Sequence, residues 1–242
     1  MTSAIQVRNV ERKDLATLAQ LETAVWTGLG TPILTESVLT EWFDDGSPFF
    51  FIAELDGVPC GYYFGRRIRF SMEEHRAFFN PALMTGQGWS AHPHVPDGNC
   101  LYGINIVSTI RGSGRALYQA VHDLLEVMGL DYSVGITRLS GLDAYLSGIE
   151  ARNGGILPYE QDAIALWYAH ESAERLGLRS WSECQAKPEL EGLPALENPD
   201  PVLAFHVQGT TFGILGILPG YIVPDPESRD YGATIVSAFP HR

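Results

Sequence analysis

The pattern of apolar and polar positions predicts a chain that begins with a strand and two helices. Residues 5–8 alternate apolar and polar side chains, as a short strand does. Four apolar residues then recur at helical spacing and predict a first helix: Leu15, Leu18, Leu21 and Val25. We expect Asp14 to cap this helix and Thr35 to cap a second helix that ends at Phe43, because short polar side chains accept hydrogen bonds from helix N-terminal amides.

Two strand-like runs and a long irregular segment follow. Residues 49–55 and 58–70 flank Asp56-Gly57, a dipeptide typical of the tight turn of a β-hairpin. Residues 71–98 contain several prolines and glycines and show no regular period. We expect this segment to be functional, as a lid or a binding wall, because long loops in compact domains usually are.

The remaining pattern predicts strands that alternate with helices. The predicted strands cover residues 101–107, 132–139, 212–218 and 233–239. The predicted helices cover residues 116–128, part of 141–187, and 201–208. Gly129 follows the first of these helices directly, which is typical of a helix C-terminus. This order of elements predicts an α+β fold with one α/β unit at its centre.

Composition and charge narrow the classes of function. The chain has 242 residues, of which 45% are hydrophobic, enough to bury one sizeable core. Its formal net charge of −13 repels phosphate backbones and argues against a nucleic-acid partner, whereas a cationic small molecule would be attracted. No apolar run reaches membrane-spanning length and the N-terminus lacks a signal-peptide pattern, so we expect a cytoplasmic protein without a membrane partner.

The cysteines and histidines do not predict a metal or disulfide framework. Cys60, Cys100 and Cys184 are widely separated and odd in number, which favours buried reduced thiols. His92 and His94 have a spacing that metal ligands can have, but no third ligand accompanies them. We therefore expect loop histidines and no metal.

A glycine-rich turn joins the strand at 101–107 to the helix at 116–128. Its sequence is Arg111-Gly112-Ser113-Gly114-Arg115-Ala116. Such a turn exposes backbone N–H groups at the positive end of a helix dipole, where phosphate binds well, and small residues let an anion approach closely. The pattern is neither a Walker loop nor a dinucleotide fingerprint. Taken alone, it also fits a tight strand-to-helix turn without a ligand.

The R-x-x-G-x-A pattern and the order of elements resemble the GNAT superfamily of N-acetyltransferases. Residues 7–18 resemble its opening strand and helix, residues 50–63 its hairpin, and residues 104–116 its central strand and CoA loop. Other segments resemble a bacterial subgroup that occurs alone or fused to carbon–nitrogen hydrolases: residues 96–103, 138–141, 200–206 and 218–232. The resemblance implies one domain over residues 1–242, with a mixed, mostly antiparallel sheet that is splayed at the central strand and flanked by helices. Residues 143–198 would be a helical insertion.

The resemblance also implies acetyl-CoA or another acyl-CoA as co-substrate. Its pantetheine arm would pair with backbone groups near Ile104, Ile106 and Ser108, and its pyrophosphate with the amides of residues 111–116. The arginines at both ends of the turn would add charge-assisted contacts. The backbone N–H of Ile106 or Val107 would stabilise the oxyanion.

For catalysis, the resemblance implies direct attack by an amine without a covalent enzyme intermediate. His206 stands where many family members have the tyrosine that protonates the leaving thiolate, and an imidazole with a pKa of roughly 6.5 suits that role. In place of the family's glutamate, the central strand offers only Asn105 and Tyr102. The general base stays open between water, Glu54 and Asp143.

The acceptor side and the partners follow from the same resemblance. Tyr221, Tyr102 and Arg138 would lie there, and Arg138 would either anchor an acceptor carboxylate or pair with an acidic side chain. The implied partner is a small-molecule amine, with a homodimer left open. Two alternatives remain: an acyl donor carried by an acyl carrier protein in biosynthesis, and a non-catalytic module that senses a CoA ligand.

Overall fold

The computed structural model describes residues 4–27, 34–79, 92–178, 185–207 and 212–238. The described residues divide into two compact units. Residues 4–70 and 92–133 make up the first unit, and residues 71–79 and 134–238 the second. The assignment of the whole chain to one domain stays a prediction.

The first unit contains four antiparallel strands. These are β1 (Ile5–Asn9), β2 (Phe50–Leu55), β3 (Val58–Ile68) and β4 (Cys100–Ser108), which pair in chain order. Asp56 and Gly57 join β2 to β3 with φ angles of 51° and 79°. Two successive residues with positive φ form the turn that a two-residue hairpin requires, so the predicted hairpin is confirmed.

Three helices accompany these strands: α1 (Leu15–Trp26), α2 (Glu36–Asp44) and α3 (Ser113–Met128). Thr35 caps α2 as expected, because its hydroxyl accepts a 3.4 Å hydrogen bond from the Val38 amide. Asp14 stands at the N-cap position of α1 as expected, but its side chain forms no capping hydrogen bond to that helix. Asp14 lies in a 3₁₀ turn before that helix, where its carboxylate accepts hydrogen bonds from the Glu11 amide at 2.8 Å and from Arg8 at 2.7 Å.

The helices of the first unit cover opposite faces of its strands. Alternate residues of a strand point to opposite faces, so Tyr63 faces away from its neighbours Tyr62 and Phe64. Tyr63 packs with the apolar face of α3, whose buried residues are Leu117, Val121 and Leu125. Phe64 stacks on Trp42 of α2, with ring centroids 4.3 Å apart. The face of Tyr62 and Phe64 is therefore the face that α1 and α2 cover.

The second unit contains the remaining strands, β5 (Tyr132–Arg138), β6 (Phe212–Leu218) and β7 (Gly232–Ala238), in the order β5-β7-β6. Strands β6 and β7 are antiparallel. The helices are α4 (Leu142–Arg152), α5 (Gln161–Arg175) and α6 (Pro201–His206), together with the short helix His75–Phe78. The α+β class is thus confirmed, whereas a splay at the central strand stays a prediction.

The predicted helical insertion at residues 143–198 contributes to the core of the second unit. Leu146 and Ile149 of α4 and Ile164 of α5 are buried together with Leu203 and Ile235. Asp200 then begins α6: its carboxylate accepts 3.0 Å hydrogen bonds from the amides of the second and third residues of the helix, and Pro201 occupies the first position. No helix in the described ranges has the length and apolar character needed to cross a membrane.

Candidate functional site

The turn from β4 into α3 is built around a left-handed glycine. Gly112 has a φ of 97°, and a Cβ at this position would lie 3.4 Å from Cδ1 of Ile5. Residues with a side chain rarely adopt this conformation, so glycine lets the chain reverse sharply and begin the helix. The predicted glycine-rich turn at a helix N-terminus is therefore present.

Two residues of this turn form hydrogen bonds with other groups of the protein. The Ser113 amide donates to the Ile110 carbonyl at 3.2 Å, and the Gly114 amide donates to the Ser108 hydroxyl at 3.1 Å. The buried Ser113 hydroxyl lies 2.6 Å from the Ser108 hydroxyl, and its one hydrogen has the carbonyls of Ile110 at 2.9 Å and Cys60 at 3.3 Å as acceptors. The polar groups of Ser113 thus stabilise the turn, and a contact between Ser113 and a ligand stays a prediction. The Gly114 amide and the Ser108 hydroxyl are likewise occupied.

Fewer backbone amides of this turn remain available to a ligand than the sequence predicts. The Ala116 amide donates to the Gly112 carbonyl at 3.0 Å. Within the described residues, the amides of Gly112 and Arg115 have no acceptor. The side chains of Arg111 and Arg115 are exposed, and neither forms an ion pair with a described residue. Two amides and two guanidinium groups are thus available to an anion at the positive end of a 16-residue helix.

Strand β4 carries an irregularity next to the predicted catalytic residue. Phe64 pairs with Asn105 and Gly65 pairs with Gly103, which leaves Ile104 as an extra residue. A bulge of this kind removes the extra residue from the regular hydrogen-bond ladder. Ile104 and Val107 are buried and Ile106 is half-buried. Pantetheine pairing and oxyanion stabilisation by this strand stay predictions.

Asn105 lies in a polar cluster that the sequence did not predict. Its Nδ2 atom donates to a carboxylate oxygen of Glu22 on α1 and, at 2.8 Å, to the hydroxyl of Tyr62 on β3. The Tyr62 hydroxyl in turn donates to the same Glu22 oxygen. Glu22 is 1% exposed. The structure therefore places a buried carboxylate beside the strand on which sequence reasoning found none.

Burial controls the protonation of this cluster. It raises the pKa of Glu22, although the hydrogen bonds from Tyr62 and Asn105 favour the carboxylate and oppose the shift. It also raises the pKa of the Tyr62 hydroxyl, and the neighbouring Glu22 charge adds to that effect. The helical spacing of the sequence indicates that Glu22 is buried. It follows Leu18 by four residues and Leu15 by seven, so it belongs to the apolar stripe of α1.

The two carboxylates considered as general bases are both held by arginines. Glu54 on β2 accepts from Arg8 at 2.7 and 3.3 Å. Asp143 at the start of α4 accepts from Arg229 at 2.8 Å. Each of these carboxylates therefore already has a guanidinium partner in this structure. A general-base role for either residue stays a prediction.

Tyr102 is buried, not open to a substrate. It is 3% exposed, and its ring contacts the ring of His92 edge-on at a centroid distance of 6.0 Å.

His94 accepts a 3.2 Å hydrogen bond from the Arg67 amide. In the described part of the chain, no group of three side chains could hold a metal ion. Cys60 and Cys100 are buried, and their thiols donate to the carbonyls of Ala53 and Leu101 at 3.4 Å. Cys184 lies outside the described residues.

In the second unit, Arg138 forms a buried ion pair. Its guanidinium donates to both carboxylate oxygens of Asp225 at 2.5 Å, and to Glu227 at 3.2 Å. The Ser228 hydroxyl donates to Asp225 at 2.6 Å. Of the two roles that the sequence left open for Arg138, the structure supports the pairing with an acid. Anchoring of an acceptor carboxylate is not supported, because the guanidinium is already occupied.

Tyr221 and His206 are half-buried side chains of the second unit. Burial raises the pKa of the Tyr221 hydroxyl, which therefore stays protonated at neutral pH. Burial lowers the pKa of His206 to about 4. The imidazole packs edge-on against the ring of Phe205, at a centroid distance of 5.5 Å. At neutral pH His206 is neutral, which does not favour its predicted role as a proton donor.

Neither a protein-family model nor a curated protein matches this chain. Solved structures do match it. GphF, a GNAT-like decarboxylase in complex with isobutyryl-CoA, is 18% identical and matches with a TM-score of 0.62, over 96% of this chain and 98% of that chain. The chain has the GNAT fold.

Two further structures share the GNAT fold. The loading GNATL domain of CurA from Lyngbya majuscula is 18% identical, with a TM-score of 0.60, and the match covers 99% of this chain and 100% of that chain. The ribosomal-protein-S18-alanine N-acetyltransferase from Escherichia coli is 11% identical, with a TM-score of 0.51 over 99% and 96%. The GNAT fold expected from the residues is therefore confirmed.

Proposed function

We propose that this chain is an acyl-CoA-dependent N-acyltransferase that moves an acetyl or similar group to a small-molecule amine. The observation that carries the proposal is the turn from β4 into α3, in a chain whose fold matches a structure with isobutyryl-CoA bound. At this turn two amides without acceptors and two exposed arginines lie together at a helix N-terminus. That combination suits a diphosphate.

The proposed contacts divide between the main chain and the side chains. The amides of Gly112 and Arg115 donate to phosphate oxygens, and the helix dipole favours the negative charge. The guanidinium groups of Arg111 and Arg115 add charge-assisted contacts. They are needed because the chain as a whole, at a net charge of −13, repels an anionic cofactor.

The proposed reaction is a direct acyl transfer. The nitrogen of a neutral amine attacks the thioester carbonyl carbon, so that a C–N bond forms and the C–S bond breaks. The sulfur leaves with the bonding electron pair and takes up a proton, and the nitrogen loses one proton to water. The products are an amide and free CoA. A backbone N–H of β4, at Ile106 or Val107, stabilises the oxyanion while the carbonyl is tetrahedral.

His206 and Tyr221 take smaller parts in this scheme than the sequence predicts for them. Protonation of the thiolate by His206 requires an imidazolium, which a pKa of about 4 makes scarce at neutral pH. Tyr221 keeps its proton and can act as a hydrogen-bond donor. The thiolate can leave without an acid catalyst, because a thiol has a pKa of only about 8.5, and water then supplies its proton.

A second candidate function takes the acyl group from a carrier protein. The likeness to the loading domain of CurA, which covers almost the whole of both chains, favours it. The same pantetheine arm would then arrive without adenosine or pyrophosphate. The exposed arginines and unpaired amides of the turn would have no ligand in that case, which is why free acyl-CoA is our first proposal.

The test measures binding before turnover. We expect acetyl-CoA to bind with micromolar affinity in isothermal titration, and the double variant Arg111→Ala/Arg115→Ala to bind at least about tenfold more weakly, because two charge-assisted contacts are lost. The matched control is Arg152→Ala, which removes an exposed arginine from α4. Equal binding by wild type, double variant and control would contradict the assignment of the turn.

Turnover is then measured as thiol release against a panel of amines that includes polyamines, aminoglycosides and amino acids. Thiol release that depends on the amine supports the proposed function. Transfer from an acylated carrier protein without binding of free CoA supports the second candidate. Tight CoA binding with no thiol release from any donor would indicate a ligand-sensing module, and release of carbon dioxide from malonyl-CoA without thiol release would indicate a decarboxylase.

A further inference from the structure

We infer that Asn105 presents its side-chain oxygen Oδ1 to the attacking amine, and that Glu22 and Tyr62 are positioning residues that hold it in this orientation. The inference deepens the proposed function and rests on it. The observation behind it is the buried hydrogen-bond cluster that joins α1, β3 and β4.

The cluster decides which end of the Asn105 amide points outward. The Tyr62 hydroxyl gives its hydrogen to Glu22, so its oxygen has only lone pairs to offer Asn105. The Glu22 carboxylate likewise offers only lone pairs. Asn105 therefore faces two acceptors, and only its NH2 group can satisfy them. Its oxygen must point the other way.

The oxygen that points away from the cluster is available. Asn105 is half-buried, and within the described residues Oδ1 receives no hydrogen bond. An amide oxygen with no donor can accept an N–H from a ligand. It lies on β4 next to the bulge at Ile104, and the amides of Ile106 and Val107, proposed for the oxyanion, follow directly.

The burial of Glu22 has no evident structural benefit. Among the described residues, no lysine, arginine or histidine contributes to its pKa, and Tyr62 is the titratable group that faces it. Burying a carboxylate without a cation costs stability, whereas a leucine in the apolar stripe of α1 would pack without that cost. Holding the Asn105 amide in one orientation gives the carboxylate a function.

The role of Asn105 is to orient the amine and not to take its proton, because an amide oxygen is not basic enough. By accepting one N–H, Oδ1 directs the nitrogen lone pair towards the thioester carbonyl carbon. Orientation of this kind lowers the barrier by fixing the geometry of attack. Bonds, electrons and protons move as in the acyl transfer already given.

The experiment compares two replacements of Glu22 with a control on the same helix. Glu22→Gln places an amide that can donate as well as accept beside Asn105, as the protonated carboxyl would, so we expect kcat/KM for the amine to fall about three- to tenfold below wild type at neutral pH. Glu22→Leu frees the amide to turn, and we expect kcat/KM to fall about 10- to 100-fold, the range of one hydrogen bond to a charged group. The control is Gln20→Ala at an exposed position of α1. In all variants the affinity for acetyl-CoA should stay unchanged.

The pH profile separates positioning from simple support of the fold. When pH falls through the raised pKa of Glu22, its carboxyl gains a hydrogen that it can donate, and the orientation of Asn105 is no longer fixed. Wild-type kcat/KM should therefore decline more steeply than that of Glu22→Gln, and the ratio of variant to wild type should rise as pH falls. Ionisation of the amine cancels in this ratio.

The outcomes distinguish the inference from the function on which it rests. A wild-type chain that neither binds acyl-CoA nor releases thiol refutes the proposed function. An active wild type with a flat pH ratio, or with Glu22→Leu as active as the control, overturns the inference and leaves the function intact. If Glu22→Leu does not fold, the pH ratio of Glu22→Gln decides.

Discussion

Acidification should destabilise the wild-type chain more than a His206→Gln variant. Burial lowers the pKa of His206 from 6.5 to about 4, whereas the unfolded chain keeps the ordinary value. Between these two pH values the unfolded state binds a proton that the native state does not bind. The stability due to the neutral imidazole is therefore complete above the unfolded pKa and is lost as pH falls towards about 4.

The magnitude follows from the size of the shift. A gap of about 2.5 pKa units, at about 1.4 kcal/mol per unit, sets an upper bound of about 3.5 kcal/mol. His206 is half-buried, and the water that reaches it reduces this value. We expect the wild-type chain to lose about 2 kcal/mol more than the variant when pH falls from about 7.5 to about 4.5.

The assay is urea unfolding at a series of pH values, with the free energy of unfolding of the variant subtracted from that of wild type. Every other titrating group contributes equally to both proteins, so the difference isolates His206. A difference that is constant to within about 0.5 kcal/mol over this range would refute the lowered pKa. The general-acid role would then regain its support, because an imidazole with an ordinary pKa is partly protonated near neutral pH.

Two further predictions concern the turn and the buried ion pair. Gly112→Ala should lower stability in urea unfolding by about 1–2 kcal/mol, because a residue with a Cβ is strained at this φ; the control Gly148→Ala, in a helix with open space around it, should not destabilise. Equal effects of the two would contradict the strained turn. Arg138→Met should cost about 3–5 kcal/mol by leaving the buried Asp225 without its cation, and adding Asp225→Leu should recover most of the loss. A folded, stable Arg138→Met that instead raises the KM of the amine would restore the anchoring role.

The local elements could be predicted from the sequence because their signals are local. Asp56-Gly57 between two strand-like runs fixes a hairpin, and Gly129 ends α3 with a φ of 58°. Thr35 caps α2 through a hydrogen bond within its own turn. In each case residues within a few positions of one another determine the conformation.

The parts that could not be predicted depend on partners that are distant in the chain. Asp14 forms no capping hydrogen bond to α1 because its carboxylate accepts hydrogen bonds from Arg8 and within the preceding 3₁₀ turn. Ser113 looked available because nothing in the sequence shows that Cys60, 53 residues earlier, lies against its hydroxyl. Glu22 and Asn105 are 83 residues apart, and only the pairing of β3 with β4 under α1 brings them together.

A crystal structure with acetyl-CoA bound tests the central claim most directly. The account predicts diphosphate oxygens within about 3.2 Å of the backbone nitrogens of Gly112 and Arg115, with the guanidinium of Arg111 or Arg115 in contact. A complex in which the diphosphate lies elsewhere, with these two amides unbound, would contradict it.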